Sequence, residues 1–153
     1  MTSKTVKDRY VPFAGRWEYA LNKEIRGGAS MVSHIFRLKG DIPNDMPIRI
    51  TKGIFPLEGF KPNVMTMEKG HFHGMRPFAK VMCTTKDEFL KRSASYAQYG
   101  TQFRVIGTYH SVHVLVQINT FPTHVTIHAN AHEDRVDIKK LFKELLTGME
   151  DGL

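Results

Sequence analysis

Residues 101–132 read TQFRVIGTYHSVHVLVQINTFPTHVTIHANAH, and the reading of the fold starts from this stretch. Side chains alternate across a β-strand, and directly opposed residues share a face. A two-residue turn at His110-Ser111 sets Tyr109 against Val112, Gly107 against Val114, Val105 against Val116 and Phe103 against Ile118. A four-residue turn at Thr120-Phe121-Pro122-Thr123 sets Ile118 against Val125, Val116 against Ile127, Val114 against Ala129 and Val112 against Ala131. Every one of these residues is apolar or glycine. The pairing therefore predicts a three-stranded antiparallel meander over about 101–109, 112–119 and 124–132 with one apolar face. A one-residue slip would mix the two faces.

The opposite face follows from the same alternation. It carries Gln102, Arg104, Ile106 and Thr108, then His113, Leu115, Gln117 and Asn119, then His124, Thr126, His128, Asn130 and His132. Gln117 is expected opposite Thr126, and His113 opposite Asn130. Such a face is either solvated, covered by other strands or a second subunit, or a surface for a ligand. No carboxylate and no lysine stands at these positions, whereas Arg, His, Asn, Gln and Thr are the types that bind phosphates and base edges. Arg104, His113, Gln117, Thr126 and Asn130 are the candidate ligand-binding residues of the meander.

Outward from the meander, Thr85 followed by Glu88 is a capping box that starts a helix running to Tyr99. Phe89, Ser93, Tyr96 and Ala97 face its core side and Gly100 stops it. A strand is expected over 77–84 before it. A final helix is expected from Asp134, with an apolar stripe of Ile138, Leu141, Phe142 and Leu145 and an end at Gly148. In the first half, Trp17, Leu21 and Ile25 recur at spacing four and predict a helix over 16–26, ended by Gly27-Gly28. Residues 31–38 alternate as a strand, with Val32, His34, Phe36 and Leu38 on one side and Ser33 and Arg37 on the other. Met46, Ile48 and Ile50 alternate as a second strand. Residues 53–62 hold two prolines and two glycines and read as irregular. A third strand falls near Val64–Glu68, and residues 1–12 form an extended arm.

The chain of 153 residues carries a net charge of +7, with the positive excess in residues 1–100 and a slight negative excess beyond them. A field of this sign attracts nucleic acid and anionic small ligands. Hydrophobic residues make up 41% and charged residues 24%, which suits one globular α+β domain over 1–153 and excludes wholesale disorder. No apolar run is long enough for a membrane-spanning helix. The lone Cys83 makes no internal disulfide, so a cytoplasmic location is expected.

Two further groups of residues bear on chemistry. Phe60 and Lys61, in the irregular stretch with Phe55 and Lys52, would offer aromatic and cationic contacts to unpaired bases. The alternative is that both rings plug the core. His71-x-His73 would supply half of a metal site, but no Cys/His zinc pattern accompanies it, and neither a metal nor a cofactor is expected.

Three short resemblances accompany these motifs. His71-Phe72-His73, with Tyr96 and Tyr99 on the following helix, resembles the histidine–hydrophobe–histidine pattern of rolling-circle nucleases. His124-Val125-Thr126-Ile127 resembles one half of the paired motif of two-histidine phosphoesterases. That resemblance implies histidine acid/base chemistry on a phosphodiester, although a second copy is absent and His113 would be its substitute. Residues 77–118 with Glu58-Gly59-Phe60 look loosely like the layout of phage S-adenosylmethionine lyases, over about a third of the chain and without a diagnostic motif.

The expectation is a mostly antiparallel α+β domain with helices packed on one face of the sheet. It would be a basic binding protein for nucleic acid or another phosphate-rich ligand. Alternatives are a small enzyme that cleaves a nucleotide-like ligand with His124 and His128 as acid and base, and a homo-oligomeric protein-interaction factor.

Overall fold

A spacing of four residues places side chains on one face of a helix, and equally on one face of a strand, because four is a multiple of two. In the computed structural model Trp17, Leu21 and Ile25 belong to a ten-residue strand, Trp17–Arg26, and not to a helix. What decides between the two is the partner: all ten residues pair with Ala29–Lys39 in register. The structure describes residues 4–7, 9–26, 29–69, 79–131 and 136–150; Gly27, Gly28, His71, His73, His132 and Asp134 lie outside them.

The strands are β1 (Lys4–Lys7), β2 (Val11–Ala14), β3 (Trp17–Arg26), β4 (Ala29–Lys39), β5 (Phe60–Lys69), β6 (Ala79–Cys83), β7 (Thr101–Tyr109), β8 (Val112–Thr120) and β9 (His124–Ala131). They form one antiparallel sheet in the order β1-β3-β4-β9-β8-β7-β5-β6, with β2 also on β3. Within residues 1–12, the expected arm, β1 and the start of β2 thus pair along the outer edge of β3.

The helices are α1 (Met46–Ile54), α2 (Lys86–Ser93) and α3 (Ile138–Glu150). Residues 46–51, read as a strand from Met46, Ile48 and Ile50, are helical. Pro47 occupies the first turn, where a missing N–H costs nothing. Met46, Ile50 and Ile54 are buried on the helical i, i+4 spacing. Thr85 Oγ accepts from the Glu88 N–H at 3.3 Å, so α2 starts where the capping box placed it. It ends at Ser93, and a 3₁₀ turn at Ala94–Tyr96 follows. In α3, Asp137 Oδ1 accepts from the Lys140 N–H at 3.1 Å, so Asp137 takes the capping role expected of Asp134. Gly148 lies inside this helix and does not end it.

The meander forms with the expected strands. Its first turn is the expected one: His110 and Ser111 both have positive φ, 48° and 69°, as a two-residue hairpin of matching twist requires. Its second register differs from the expectation by two residues. Ile118 faces Ile127, Val116 faces Ala129 and Val114 faces Ala131. The Phe121 N–H donates to the His124 carbonyl at 2.9 Å, which closes a two-residue turn at Pro122-Thr123 where four residues had been expected. Alternation fixes only the parity of a register, and a slip of two preserves both faces while changing every partner. Gln117 consequently faces His128, Asn119 faces Thr126 and Leu115 faces Asn130.

The core forms on the apolar face. Phe36, Ile127, Ile118 and Phe103 are successive cross-strand partners and are fully buried. Phe142 of α3 stacks on Phe36 at 4.7 Å between centroids. Phe89 of α2 meets Phe103 edge-on at 5.5 Å, and Phe55 meets Phe89 at 5.7 Å. Each such buried side chain contributes about 1.5–3 kcal/mol by leaving water. This packing covers the apolar face of the sheet, and the polar residues of the meander lie on its other face.

Candidate anion-binding groove

The pairing of β4 with β9 extends the polar face beyond the meander. Arg37 faces Thr126, and Lys39 faces His124. Around them lies a groove of about 450 Å³, lined by Tyr10, Arg37, Lys39, Thr123, His124, Thr126 and His128. None of the lining residues is acidic.

Each basic side chain is held differently. Arg37 donates through Nε and Nη2 to Glu18 Oε1 at 3.3 and 3.0 Å, across from its β3 partner. The Tyr10 ring lies 3.6 Å from the guanidinium carbon, so the fork is clamped between a carboxylate and an aromatic face. Lys39 is exposed and makes no ion pair among the described residues. The His124 ring stacks on Phe121 at 4.4 Å, and its Nδ1 lies 3.1 Å from Thr123 Oγ1. Burial lowers the His124 pKa from its ordinary value, and Arg37 and Lys39 push it further down. Without a ligand this imidazole is therefore biased toward its neutral form in a positive surrounding.

Behind the groove, a polar network crosses from β9 to β7. Arg104 Nη2 donates to Gln117 Oε1 at 2.9 Å. Gln117 Nε2 and Gln102 Nε2 both donate to Asn119 Oδ1, at 3.4 and 3.2 Å. Asn119 Nδ2 donates to Thr126 Oγ1 at 3.3 Å. Gln102 and Asn119 are buried and hydrogen-bonded in this network, whereas Arg104 Nε is buried without a hydrogen-bond partner among the described residues.

Several residues read from the sequence as one surface are thus divided. Thr126, His124 and His128 line the groove, and Arg104 and Gln117 stand behind it. His113 faces Thr108 and Asn130 faces Leu115, away from the groove residues of β4. Lys61 faces Thr108 on the polar side of β5. Phe60 is a correction: it is buried with Phe55 and lines an apolar cavity with Leu57, Val114 and Leu141, so it is a core plug and not a stacking platform. Tyr96 is likewise buried, and the Tyr99 hydroxyl is engaged by the Ile42 carbonyl at 2.6 Å. Among the described residues, no group of three or more His, Cys, Asp or Glu is placed to hold a metal ion.

The geometry also bears on the acid/base pair. His124 and His128 share a strand four residues apart, roughly 13 Å at the rise of a β-strand. His113 lies further still, because Val114 already faces Ala131 at the far end of β9. The backbone positions of these histidines thus stand along a line.

Tyr10, Arg37, Lys39 and Thr123 were missing from the sequence-derived site. The one available signal was Arg37 on the polar side of residues 31–38; its approach to Thr126 depends on a strand pairing more than eighty residues distant in the chain.

His34 lies outside the groove, on the apolar side, with its Nδ1 2.7 Å from the Tyr19 hydroxyl. Burial lowers its pKa, Lys139 adds to this, and Asp137 opposes it. A folded-state pKa below the unfolded value of about 6.5 means that the unfolded chain binds the proton more readily. The folded state is therefore fully favoured above that value and loses stability as pH falls through it toward the lower folded pKa. Melting temperature is expected to drop between about pH 7.5 and pH 5, with a shallower slope in His34→Gln; equal slopes would refute this assignment.

Comparison of the chain with protein-family models, with curated proteins and with solved structures found no match. Fold and site together define a mostly antiparallel α+β protein with a basic groove, free of acidic lining, on the polar face of its sheet.

Proposed function

We propose that this chain binds the phosphate backbone of nucleic acid through the groove between β4 and β9. The observation that supports this most is the lining itself: Arg37, Lys39, His124 and His128 around a threonine, with no acid among them. Arg37 is pre-positioned by Glu18 and Tyr10, which lowers the ordering cost of binding. Lys39 makes no ion pair among the described residues that binding would have to break. The two histidines act as phosphate ligands spaced along a strand, in keeping with a repeating backbone and not with a single reacting phosphorus.

Fluorescence anisotropy with a labelled oligothymidylate of about twelve nucleotides, and with a duplex of the same length, tests this. Neutralising about two or three phosphates gives a slope of roughly −1.5 to −2 in log affinity against log salt on a single strand. Affinity is also expected to rise as pH falls from about 8 to about 6, because a bound phosphate favours the imidazolium that Arg37, Lys39 and burial disfavour in the free protein. His124→Gln should flatten this profile. Absence of binding to both oligonucleotides at about 50 mM salt would refute the proposal.

A further inference from the structure

The polar network behind the groove has a direction, and that direction is set by Arg104. A guanidinium has only donors. Its Nη2 contact therefore fixes Gln117 with Oε1 toward Arg104 and Nε2 toward Asn119. Gln117 and Gln102 both donate to Asn119 Oδ1, so Asn119 must turn its Nδ2 toward Thr126. Thr126 Oγ1 is then an acceptor in this link, and its single hydrogen is left for another partner. It makes no other hydrogen bond among the described residues. Thr126 sits between Asn119 on β8 and Arg37 on β4, at the floor of the groove.

We infer that Thr126 favours an oxyanion ligand: the relay Arg104–Gln117–Asn119 brings the Asn119 Nδ2 hydrogen to one lone pair of its oxygen and so leaves its own hydrogen to be donated to an acceptor in the groove, such as a phosphate ester oxygen. This rests on the proposal that the groove binds phosphate. Arg104, Gln117 and Asn119 are positioning residues that act through Thr126. The shared chemistry belongs both to a nucleic-acid backbone and to a free polyphosphate, so the probes are the labelled oligothymidylate and inorganic pyrophosphate, the latter followed by calorimetry.

Thr126→Val, which is nearly isosteric, is expected to weaken both probes about tenfold or more, as for one hydrogen bond to a charged group. Thr126→Ser restores the hydroxyl and should bind within about threefold of the parent. Melting curves establish that both variants are folded. Asn119→Asp offers Thr126 an acceptor and draws its hydrogen out of the groove. It should cost about thirtyfold in the parent protein, about tenfold from the lost contact and about threefold from the added charge, but only the charge effect in the Thr126→Val background. A merely structural role for Asn119 would give equal losses in the two backgrounds and would overturn the relay. Parent-like binding by Thr126→Val, while Lys39→Glu fails to bind, would overturn the inference and leave the groove proposal standing. A loss on the oligonucleotide alone would place the contact on a base or sugar and overturn oxyanion selection. If the parent protein binds neither probe, both the inference and the reading beneath it fall.

Discussion

Gly107→Ala is expected to destabilise the protein by about 2–4 kcal/mol and to lower its melting temperature by roughly 5–15 °C, one of the largest effects of any single added methyl group. Gly107 lies in β7 opposite Pro62 of β5, where the register shifts between Pro62 and Val64. A Cβ on Gly107 would lie 2.3 Å from the Lys61 carbonyl oxygen and 3.0 Å from Pro62 Cα. Both obstacles are backbone, so no rotamer change relieves them. β5 would have to move away from β7, which weakens the ladder that ties β5 and β6 to the meander. Thermal or denaturant unfolding followed by circular dichroism measures the effect. A loss below about 0.5 kcal/mol, the level of an ordinary surface substitution, would show that the two strands do not approach as described.

Lys39→Glu is expected to weaken oligothymidylate binding about 10- to 100-fold at about 50 mM salt, by removing a phosphate contact and adding repulsion. Lys39 makes no ion pair among the described residues, so the fold should be unaffected. Arg37 is the poorer test, since removing it strands Glu18 and uncovers Tyr10. Lys61→Glu is the matching control. It makes the same charge change on the polar side of β5, three strand positions away from β9. If binding came from the general field of a protein with net charge +7, the two variants would lose affinity equally. A groove-specific contact predicts a much larger loss for Lys39. Comparable losses would move the site off β4 and β9.

The legible part of this fold was the part whose signals are local. The meander strands, the His110-Ser111 turn and the Thr85 cap depend on neighbours in sequence, and each forms where alternation or capping chemistry placed it. The failures share a physical origin. Trp17, Leu21 and Ile25 satisfy two periods at once, and only pairing with β4 selects the strand. Met46, Ile48 and Ile50 alternate, but the buried set is Met46, Pro47, Ile50, Thr51 and Ile54, which lies along one face of a helix. The Pro122-Thr123 turn shifted the register by an even number, which no face pattern can detect.

The same division holds for the groove. The sequence exposed its β9 side through His124, Thr126 and His128, because strand alternation alone puts them on one face. Its other wall, Tyr10, Arg37 and Lys39, arrives through non-local pairing of the first half of the chain with the last strand. Asn119, which links Thr126 to Gln117, was visible on the polar face, but its role emerged only with the corrected register.

The most direct measurement is a titration of isotopically labelled protein with oligothymidylate, followed through backbone amide chemical shifts. Saturable shifts concentrated at Tyr10, Arg37, Lys39 and Thr123–His128, with His113 and the amides of α1 and α3 left near their free positions, are the expected result. Shifts centred on another surface, or none at an oligonucleotide excess that should saturate the groove, would contradict the assignment of this sheet face as the place where the chain meets its ligand.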